Sequence, residues 1–215
     1  MEKHTAEFIR LAREAGALGF GRFELKSGRV SPYFFNAGKF CEGDSTAHVA
    51  DCYADAIAQA MEGGLEFDML FGPAYKGIPL AATVAVSLYR RHGISRPWAY
   101  DRKEVKDHGE GGRIVGAAIG GRVLVVDDVL SAGTAFGEAR RTVEGAGGEV
   151  VSLAVGLDRQ ERGTGAASAG SEIEEDGVRV IAVSRLDDLV ESLRQAAPDA
   201  DVLSDMLDYR DRYGA

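Results

Sequence analysis

One stretch, residues 122–135 with the sequence RVLVVDDVLSAGTA, constrains the fold of this chain more than any other. Its first half is a short apolar run rich in β-branched residues, which is typical of a strand buried on both faces of a sheet. Its second half, Ser131–Thr134, is small, hydroxylated and flexible, and a helical pattern through Phe136, Ala139 and Val143 follows it. The stretch therefore predicts a buried strand, a tight turn and a helix.

The turn in this stretch predicts an anion site. A helix N-terminus offers free backbone N–H groups and the positive end of the helix dipole, and Ser131 and Thr134 add hydroxyl donors. Asp127 and Asp128 lie at the same place, and carboxylates repel a phosphate unless they bind another part of the ligand, such as sugar hydroxyls or a bridging Mg²⁺. The combination suggests a sugar phosphate. The alternative is an ordinary strand–turn–helix in which the two aspartates only cap and solvate.

Length, charge and cysteine content narrow the classes of function. The 215 residues fit a single domain, 1–215, and their net charge of −9 argues against a nucleic-acid groove, which needs clustered Lys and Arg. There is no apolar run long enough to span a bilayer, and the N-terminus runs into an amphipathic helix rather than a signal peptide. The two cysteines form no CxxC pair. We therefore expect a cytoplasmic protein with free thiols and without a membrane or nucleic-acid partner.

Two further loops carry conspicuous cations. Residues 72–77, GPAYKG, follow a second buried strand, so their glycines let the backbone approach an anion and Lys76 can pair with it. Residues 101–112, DRKEVKDHGEGG, form a charged, Gly-terminated segment with four potential cations: Arg102, Lys103, Lys106 and His108. From composition alone, a solvated loop of mixed charge is the preferred explanation. A lid that closes over pyrophosphate and excludes water is the functional one.

Other segments predict a hairpin and a possible carboxylate site. Two strand-like runs flank residues 27–29, and on the second strand the adjacent Phe34 and Phe35 point to opposite faces, so only one can fill the core. Arg159 follows a third apolar strand, at the edge where open α/β sheets place ligands, and its forked guanidinium suits a carboxylate. A solvent-facing arginine is the alternative. Residues 164–177 are small and polar and predict a surface turn region.

The stretch at 122–135 resembles the 5-phosphoribosyl-1-pyrophosphate (PRPP) motif of the type I phosphoribosyltransferases. Within that family the whole chain resembles the orotate phosphoribosyltransferases. The resemblance rests on five motifs in the expected order: LKSG with YFFN, GPAYKGIP, RKEVKDHGEGG, VLVVDDVLSAGT and LDRQE. One departure is Ser131, where these enzymes often have Thr, and it retains the hydroxyl group.

The resemblance implies an α/β fold: a doubly wound, mainly parallel sheet flanked by helices, with a small N-terminal hood over the base. About residues 1–40 and part of the C-terminal region would form the hood, and 101–112 would be a mobile catalytic loop. The implied reaction transfers the ribose 5-phosphate group of PRPP to orotate in UMP biosynthesis, giving orotidine 5′-monophosphate and pyrophosphate. It also implies Mg²⁺, held mainly by PRPP near Asp127 and Asp128 without a certain protein ligand. A homodimer with active sites shared across the interface is implied as well.

The resemblance assigns roles residue by residue. The implied catalytic residues are Lys103, Lys106, His108, Asp127 and Asp128. The implied PRPP contacts are Lys26, Tyr75, Lys76, Arg102, Lys103, Lys106, His108, Asp127, Asp128, Val129, Leu130, Ser131, Ala132, Gly133, Thr134 and Ala135. The implied orotate contacts are Lys26, Phe34, Phe35, Ser131 and Arg159.

Two alternative functions stay open. The nearer is a phosphoribosyltransferase for a purine or another pyrimidine, and Arg159 argues against a purine because purines carry no carboxylate. The more distant is a non-enzymatic PRPP-sensing regulator that binds nucleic acid. The acidic charge, the lack of a basic appendage and the complete lid motif argue against this regulator.

Overall fold

The computed structural model describes residues 1–24, 29–106, 112–162, 165, 167–195 and 200–214, with the backbone alone at 104–106, 112 and 200. Its helices are α1 (Lys3–Glu14), α2 (Gly43–Glu62), α3 (Gly77–His92), α4 (Thr134–Gly145), α5 (Ala169–Glu175), α6 (Leu186–Gln195) and α7 (Ala200–Tyr213). Its strands are β1 (Leu18–Glu24), β2 (Val30–Phe35), β3 (Met69–Gly72), β4 (Trp98–Lys106), β5 (Gly112–Gly116), β6 (Gly121–Leu130), β7 (Gly148–Asp158) and β8 (Arg179–Arg185). Among these helices none is long and apolar enough to cross a membrane.

The central sheet has the strand order β5-β4-β3-β6-β7-β8. Every described neighbour pair is parallel except β4 and β5, so the predicted doubly wound, mainly parallel sheet is confirmed. The chain moves from β3 outward to β4 and β5 and then crosses back to β6 on the other side of β3. This reversal leaves a crevice beyond the carboxyl ends of β3 and β6, which is where open α/β sheets bind their ligands.

Side chains of β6 alternate between two apolar cores, one on each face of the sheet. Leu124 and Val126 pack into the core that includes residues of α1, α2, α3 and α6, and Val123 and Val125 pack into the core that includes residues of α4 and α5. All four side chains are 0% exposed. Full burial stabilises the fold by about 2 kcal/mol for each such side chain. The two-sided burial explains why the run shows no polar alternation.

The N-terminal hairpin of β1 and β2 is a separate two-stranded antiparallel sheet. Phe35 is 8% exposed and packs in the core beside Phe8, whereas Phe34 is 43% exposed. The prediction that only one of the adjacent phenylalanines fills the core is therefore confirmed. The hairpin also packs on α7, because the ring of Tyr33 lies edge-on to the ring of Tyr209 with 6.0 Å between their centroids.

Residues 101–106 differ from the sequence-based prediction of a loop, because they continue strand β4. The physical reason is an antiparallel partner, since β5 pairs Ile114 with Asp101 and Gly112 with Lys106. The register shifts between these two pairs. Residues 107–111 lie outside the described part of the chain, so the mobility of the proposed lid stays a prediction.

The segment 164–177 also differs from prediction, because it contains helix α5 rather than turns alone. The helix begins where the Ser168 hydroxyl accepts the backbone N–H of Ser171 at 3.0 Å, which satisfies one of the free donors of a helix start. Ala169 and Ile173 of this helix are buried in the same core as α4. A short polar sequence thus forms a helix because the sheet offers it an apolar surface.

Candidate active site at the carboxyl edge of the sheet

The turn between β6 and α4 forms an open cleft of about 590 Å³. Gly133 adopts the left-handed conformation at φ 77°, and no side chain in the described structure caps the start of α4. The first N–H groups of the helix therefore have neither a helical partner nor a side-chain cap. The cleft is lined by eight of the sixteen predicted PRPP-binding residues: Asp127, Val129, Leu130, Ser131, Ala132, Gly133, Thr134 and Ala135.

The loop after β3 lies on the other side of the crevice. The ammonium group of Lys76 lies 2.7 Å from Oδ2 of Asp128, so an ion pair joins the two predicted anion-binding loops. The Lys76 side chain is 48% exposed, which leaves it open to a ligand. Tyr75 is 65% exposed, and the ammonium group of Lys103 lies 5.0 Å from its ring centroid. The structure thus brings Tyr75, Lys76, Lys103 and Asp128 to one edge of the sheet.

Gly72 and Gly77 serve a packing role in this loop. A Cβ atom on Gly72 would collide with the backbone of Gly77, and one on Gly77 would lie 2.8 Å from the carbonyl oxygen of Val126. The sequence suggested that these glycines let the backbone approach an anion. The geometry adds a different reason, because they let the loop lie against itself and against β6.

Asp127 and Asp128 have different surroundings. Asp127 Oδ1 accepts the backbone N–H of Asp128 at 2.9 Å, and its carbonyl oxygen accepts the hydroxyl of Tyr53 at 2.9 Å. Burial and the neighbouring Asp128 carboxylate raise the pKa of Asp127 to about 7. Asp128 is instead paired with Lys76. A partly buried carboxyl group that resists ionisation beside a second carboxylate is a place where a cation or a sugar hydroxyl would be stabilised.

The same two carboxylates are what the protein offers to a metal ion. Among the described residues, no group of three or more His, Cys, Asp or Glu side chains could hold one. Mg²⁺ commonly keeps water and phosphate oxygens as most of its ligands and takes only one or two carboxylates from the protein. Asp127 and Asp128 therefore fit a Mg²⁺ ion that arrives with a phosphorylated ligand and do not form a metal cage of their own.

Arg159 lies next to the end of β6, because its backbone N–H donates to the carbonyl oxygen of Leu130 at 3.0 Å. The residue is 6% exposed, so the alternative of a solvent-facing arginine is wrong. Burial of the guanidinium disfavours its charged form, but the net effect on the pKa of Arg159 is upward, because Tyr33 and Glu161 favour the cation. Arg159 is therefore a buried cation at the carboxyl edge of the sheet.

Side chains from three parts of the chain hold this cation. Arg159 Nε donates to Glu161 Oε1 at 2.7 Å, and its Nη2 donates to the hydroxyls of Tyr209 at 3.2 Å and Ser31 at 3.3 Å. The ring centroid of Tyr33 lies 4.4 Å from the guanidinium carbon. Strand β2, the segment after β7 and helix α7 thus meet around one arginine.

Some predicted site residues are not brought into contact by the described structure. Lys26, His108 and the side chain of Lys106 lie outside it, so their roles stay predictions. Arg102 lies on β4 one residue before Lys103. Phe34 lies on β2 next to Tyr33, whose ring packs on Arg159.

Sequence reasoning missed four residues that organise the site: Tyr53, Asp101, Glu161 and Tyr209. Asp101 Oδ1 accepts the backbone N–H of Ala74 at 2.7 Å, which ties β4 to the loop after β3. Glu161 lies two residues after Arg159 within the LDRQE motif, so its spacing was an available signal. Tyr53 and Tyr209 lie far along the chain from the groups they contact, and their local sequences carry no such signal.

Comparison with known proteins agrees with this geometry. Residues 45–178 match the family of phosphoribosyl transferase domains. The chain is 51% identical to the orotate phosphoribosyltransferase of Thioalkalivibrio sulfidiphilus (strain HL-EbGR7) over 215 residues, which is all of both chains. The chain belongs to the orotate phosphoribosyltransferase family.

Further family members support this assignment. The orotate phosphoribosyltransferase of Pseudomonas aeruginosa, strain PAO1, is 47% identical over 215 residues and is also matched over its whole length. The crystal structure of the Francisella tularensis orotate phosphoribosyltransferase aligns with a TM-score of 0.83 at 38% identity, covering 97% of this chain and 99% of that one. The family resemblance expected from the five sequence motifs is therefore confirmed.

Proposed function

We propose that this protein transfers the ribose 5-phosphate group of PRPP to orotate, giving orotidine 5′-monophosphate and pyrophosphate in pyrimidine biosynthesis. One observation carries the proposal beyond family membership. Three features lie at the ends of three adjacent strands. The start of α4, which has no side-chain cap, follows β6. Lys76, which pairs with Asp128, follows β3, and the buried Arg159 follows β7. An anion site, a cationic loop and a carboxylate partner along one edge match the parts of PRPP and orotate.

The PRPP roles follow from the charges along that edge. The 5′-phosphate would lie at residues 131–134, where free N–H groups and two hydroxyls provide donors. The ribose hydroxyls would donate to Asp127 and Asp128. The pyrophosphate would lie near Lys76 and Lys103, because Lys76 belongs to the loop after β3 and the Lys103 ammonium lies 5.0 Å from the ring centroid of Tyr75 in the same loop.

The reaction would be a displacement at the anomeric carbon of the ribose. The bond from that carbon to the pyrophosphate oxygen breaks with its electron pair leaving on pyrophosphate. A bond to the base nitrogen forms, and that nitrogen gives up its proton to pyrophosphate or to solvent water. Lys76 and Lys103 would stabilise the departing charge, while Asp127 and Asp128 offset the positive charge on the sugar. Mg²⁺ held by PRPP would supply further charge neutralisation on the pyrophosphate. Lys106 and His108 are proposed to complete this set when the lid closes.

The base would be recognised through its carboxylate at Arg159. The other proposed contacts are Lys26, Phe34, Phe35 and Ser131. Phe35 turns its ring into the core, so Phe34 offers the more accessible ring of the pair. A purine carries no carboxylate that could bind Arg159 in addition to Glu161, which disfavours the nearer alternative function.

We also propose a cytoplasmic homodimer with active sites shared across the interface. Three large exposed hydrophobic side chains support an interface at α3 and the loop before it. Tyr75, Val86 and Tyr89 are 65%, 57% and 63% exposed. The proposal that the lid acts across this interface rests on the family resemblance. Both cysteines are free, in keeping with a reducing compartment.

The test is orotate absorbance in the presence of the protein, PRPP and Mg²⁺, with PRPP-free and chelator-treated controls. We expect loss of the orotate band only when PRPP and Mg²⁺ are both present. If the band persists while PRPP still raises the melting temperature, the sugar-phosphate assignment survives and the base assignment fails. If PRPP neither reacts nor stabilises the protein, the assignment of the β6–α4 turn is wrong.

A further inference from the structure

One buried carboxylate connects the base side of the site to two distant parts of the chain. Glu161 is 5% exposed, and its Oε1 accepts both Nε of Arg159 at 2.7 Å and the hydroxyl of Tyr209 at 2.6 Å. Its Oε2 lies 3.5 Å from Nη1 of Arg29, the residue before strand β2. The hairpin, the segment after β7 and the C-terminal helix therefore meet at Glu161.

These contacts fix the orientation of Arg159. Glu161 holds Nε, Tyr209 holds Nη2, and the ring of Tyr33 packs 4.4 Å from the guanidinium carbon. Nη1 makes no hydrogen bond to the residues that the structure describes. A planar guanidinium held at two of its nitrogens presents the third in a fixed direction. Among the described contacts, Nη1 is therefore the group left available to a ligand.

The charges in this cluster favour an additional anion. Arg159 and Arg29 contribute two positive charges and Glu161 contributes one negative charge, which leaves one positive charge among these three side chains. A carboxylate on the ligand would balance it, and an uncharged base would not. Arg159 and Glu161 are buried while the Arg29 side chain is 36% exposed, so the extra positive charge lies at the edge of the cluster, where it favours a carboxylate ligand over an uncharged base.

We infer that Glu161 and Tyr209 are positioning residues for base recognition, which hold Arg159 so that Nη1 meets the carboxylate of orotate. The inference rests on the proposed function, because it needs Arg159 to be the carboxylate partner. It assigns the C-terminal helix α7 a part in substrate recognition, although Tyr209 lies 50 positions from Arg159 along the chain.

The test is steady-state kinetics of the full-length variants with orotate and PRPP varied in turn. Tyr209→Phe keeps the buried ring and removes the hydroxyl, so we expect the KM for orotate to rise roughly tenfold. The kcat and the KM for PRPP should stay within about twofold of the wild type. Tyr213→Phe is the matched control, because Tyr213 lies on the same helix with its ring 4.9 Å from that of Tyr209. Its hydroxyl makes no described bond to Arg159 or Glu161, so its constants should not change.

Circular dichroism would reveal whether Tyr209→Phe folds. If it does not, a second variant tests the inference. Glu161→Gln keeps the shape of the side chain, replaces one acceptor oxygen by a donor and should also raise the KM for orotate selectively. An unchanged KM for orotate in the folded variants overturns the inference. So does an equal change in all three constants with a lower Tm, since that indicates a structural role alone. If the wild-type protein does not consume orotate, the proposed function itself has failed.

Discussion

The PRPP half and the base half of the site are built in different ways. The PRPP half consists of two loops that are each continuous in sequence, and its side chains Tyr75 and Lys76 are largely exposed. The base half collects Ser31, Arg159 and Tyr209 from separate segments and buries Arg159 to 6% exposure. A ligand that carries its own phosphates needs N–H donors and mobile cations. A ligand recognised by one carboxylate needs one fixed cation.

This difference predicts different consequences of mutation. Removing an exposed side chain from the PRPP half, such as that of Tyr75, should weaken ligand binding while leaving the fold largely intact. Removing a hydrogen-bonded group from the base half should also lower the free energy of unfolding, because its buried partners are left without a hydrogen bond and out of reach of water. The predictions below test this contrast, beginning with the largest expected effect.

Glu161→Ala should lower the free energy of unfolding by about 3–5 kcal/mol, because it leaves the buried Arg159 without its carboxylate. Urea unfolding followed by circular dichroism measures the change. The control is Glu144→Ala, which removes an exposed pair with Arg140 on α4 and should cost at most about 1 kcal/mol. Similar losses of free energy of unfolding in the two variants would contradict the account that Glu161 stabilises a buried cation.

Asp127→Asn should change the pH dependence of stability. The pKa of Asp127 is raised to about 7 in the folded protein, above the ordinary aspartate value near 4. The stability that comes from its bound proton is therefore present below about pH 4 and is lost as the pH rises through about 7. The wild type should lose on the order of 2 kcal/mol more than Asp127→Asn between about pH 5 and pH 8. Urea unfolding at several pH values tests this, and parallel profiles would show that Asp127 does not titrate in this range.

Gly133→Ala should lower the free energy of unfolding by about 1–2 kcal/mol, since an L side chain is strained at φ 77°. It should also weaken PRPP binding, because relief of the strain moves the start of α4. Gly147→Ala is a matched control at φ 91° with open space for its Cβ atom, remote from the cleft. Thermal unfolding with and without PRPP separates the two effects. Equal stabilisation of both variants by PRPP would argue against a phosphate site at this turn.

Tyr33→Phe should leave the free energy of unfolding unchanged or raise it by up to about 1 kcal/mol. Tyr33 is 0% exposed, and its hydroxyl makes no hydrogen bond in the described structure, while its ring packs on Arg159. Phenylalanine keeps the ring and removes the unpaired group. Chemical denaturation measures the change, and a loss above about 1 kcal/mol would show that the hydroxyl has a stabilising partner.

The sequence predicted much of the PRPP half because its chemistry is local. The run of β-branched residues before Asp127 predicted a strand buried on both faces, and the small residues after it predicted a helix start. Both follow from periodicity and turn chemistry, which depend on neighbouring residues. The ion pair between Lys76 and Asp128 depends instead on the crossing of the chain from one side of β3 to the other.

The base half could be predicted only in part. The position of Arg159 after a strand indicated a ligand-facing edge, but nothing in its neighbourhood indicated that Tyr209 would contact it from α7. Residues 101–106 show the same dependence on distant residues. Charge and glycine content favoured a loop, but pairing with β5 makes these residues part of a strand. Helix α5 was missed because its stability comes from packing on the sheet rather than from its own sequence.

The most direct test of the separation between the two halves is calorimetric titration of PRPP with Mg²⁺. The proteins compared are the wild type, the double variant Asp127→Asn with Asp128→Asn, and Tyr209→Phe. We expect the double variant to bind PRPP roughly 100-fold more weakly, because two carboxyl groups that accept from the ribose hydroxyls are replaced by amides. Tyr209→Phe should bind PRPP like the wild type. Unchanged affinity in the double variant, or a comparable loss in Tyr209→Phe, would contradict the assignment of PRPP to the edge formed by β6 and β3.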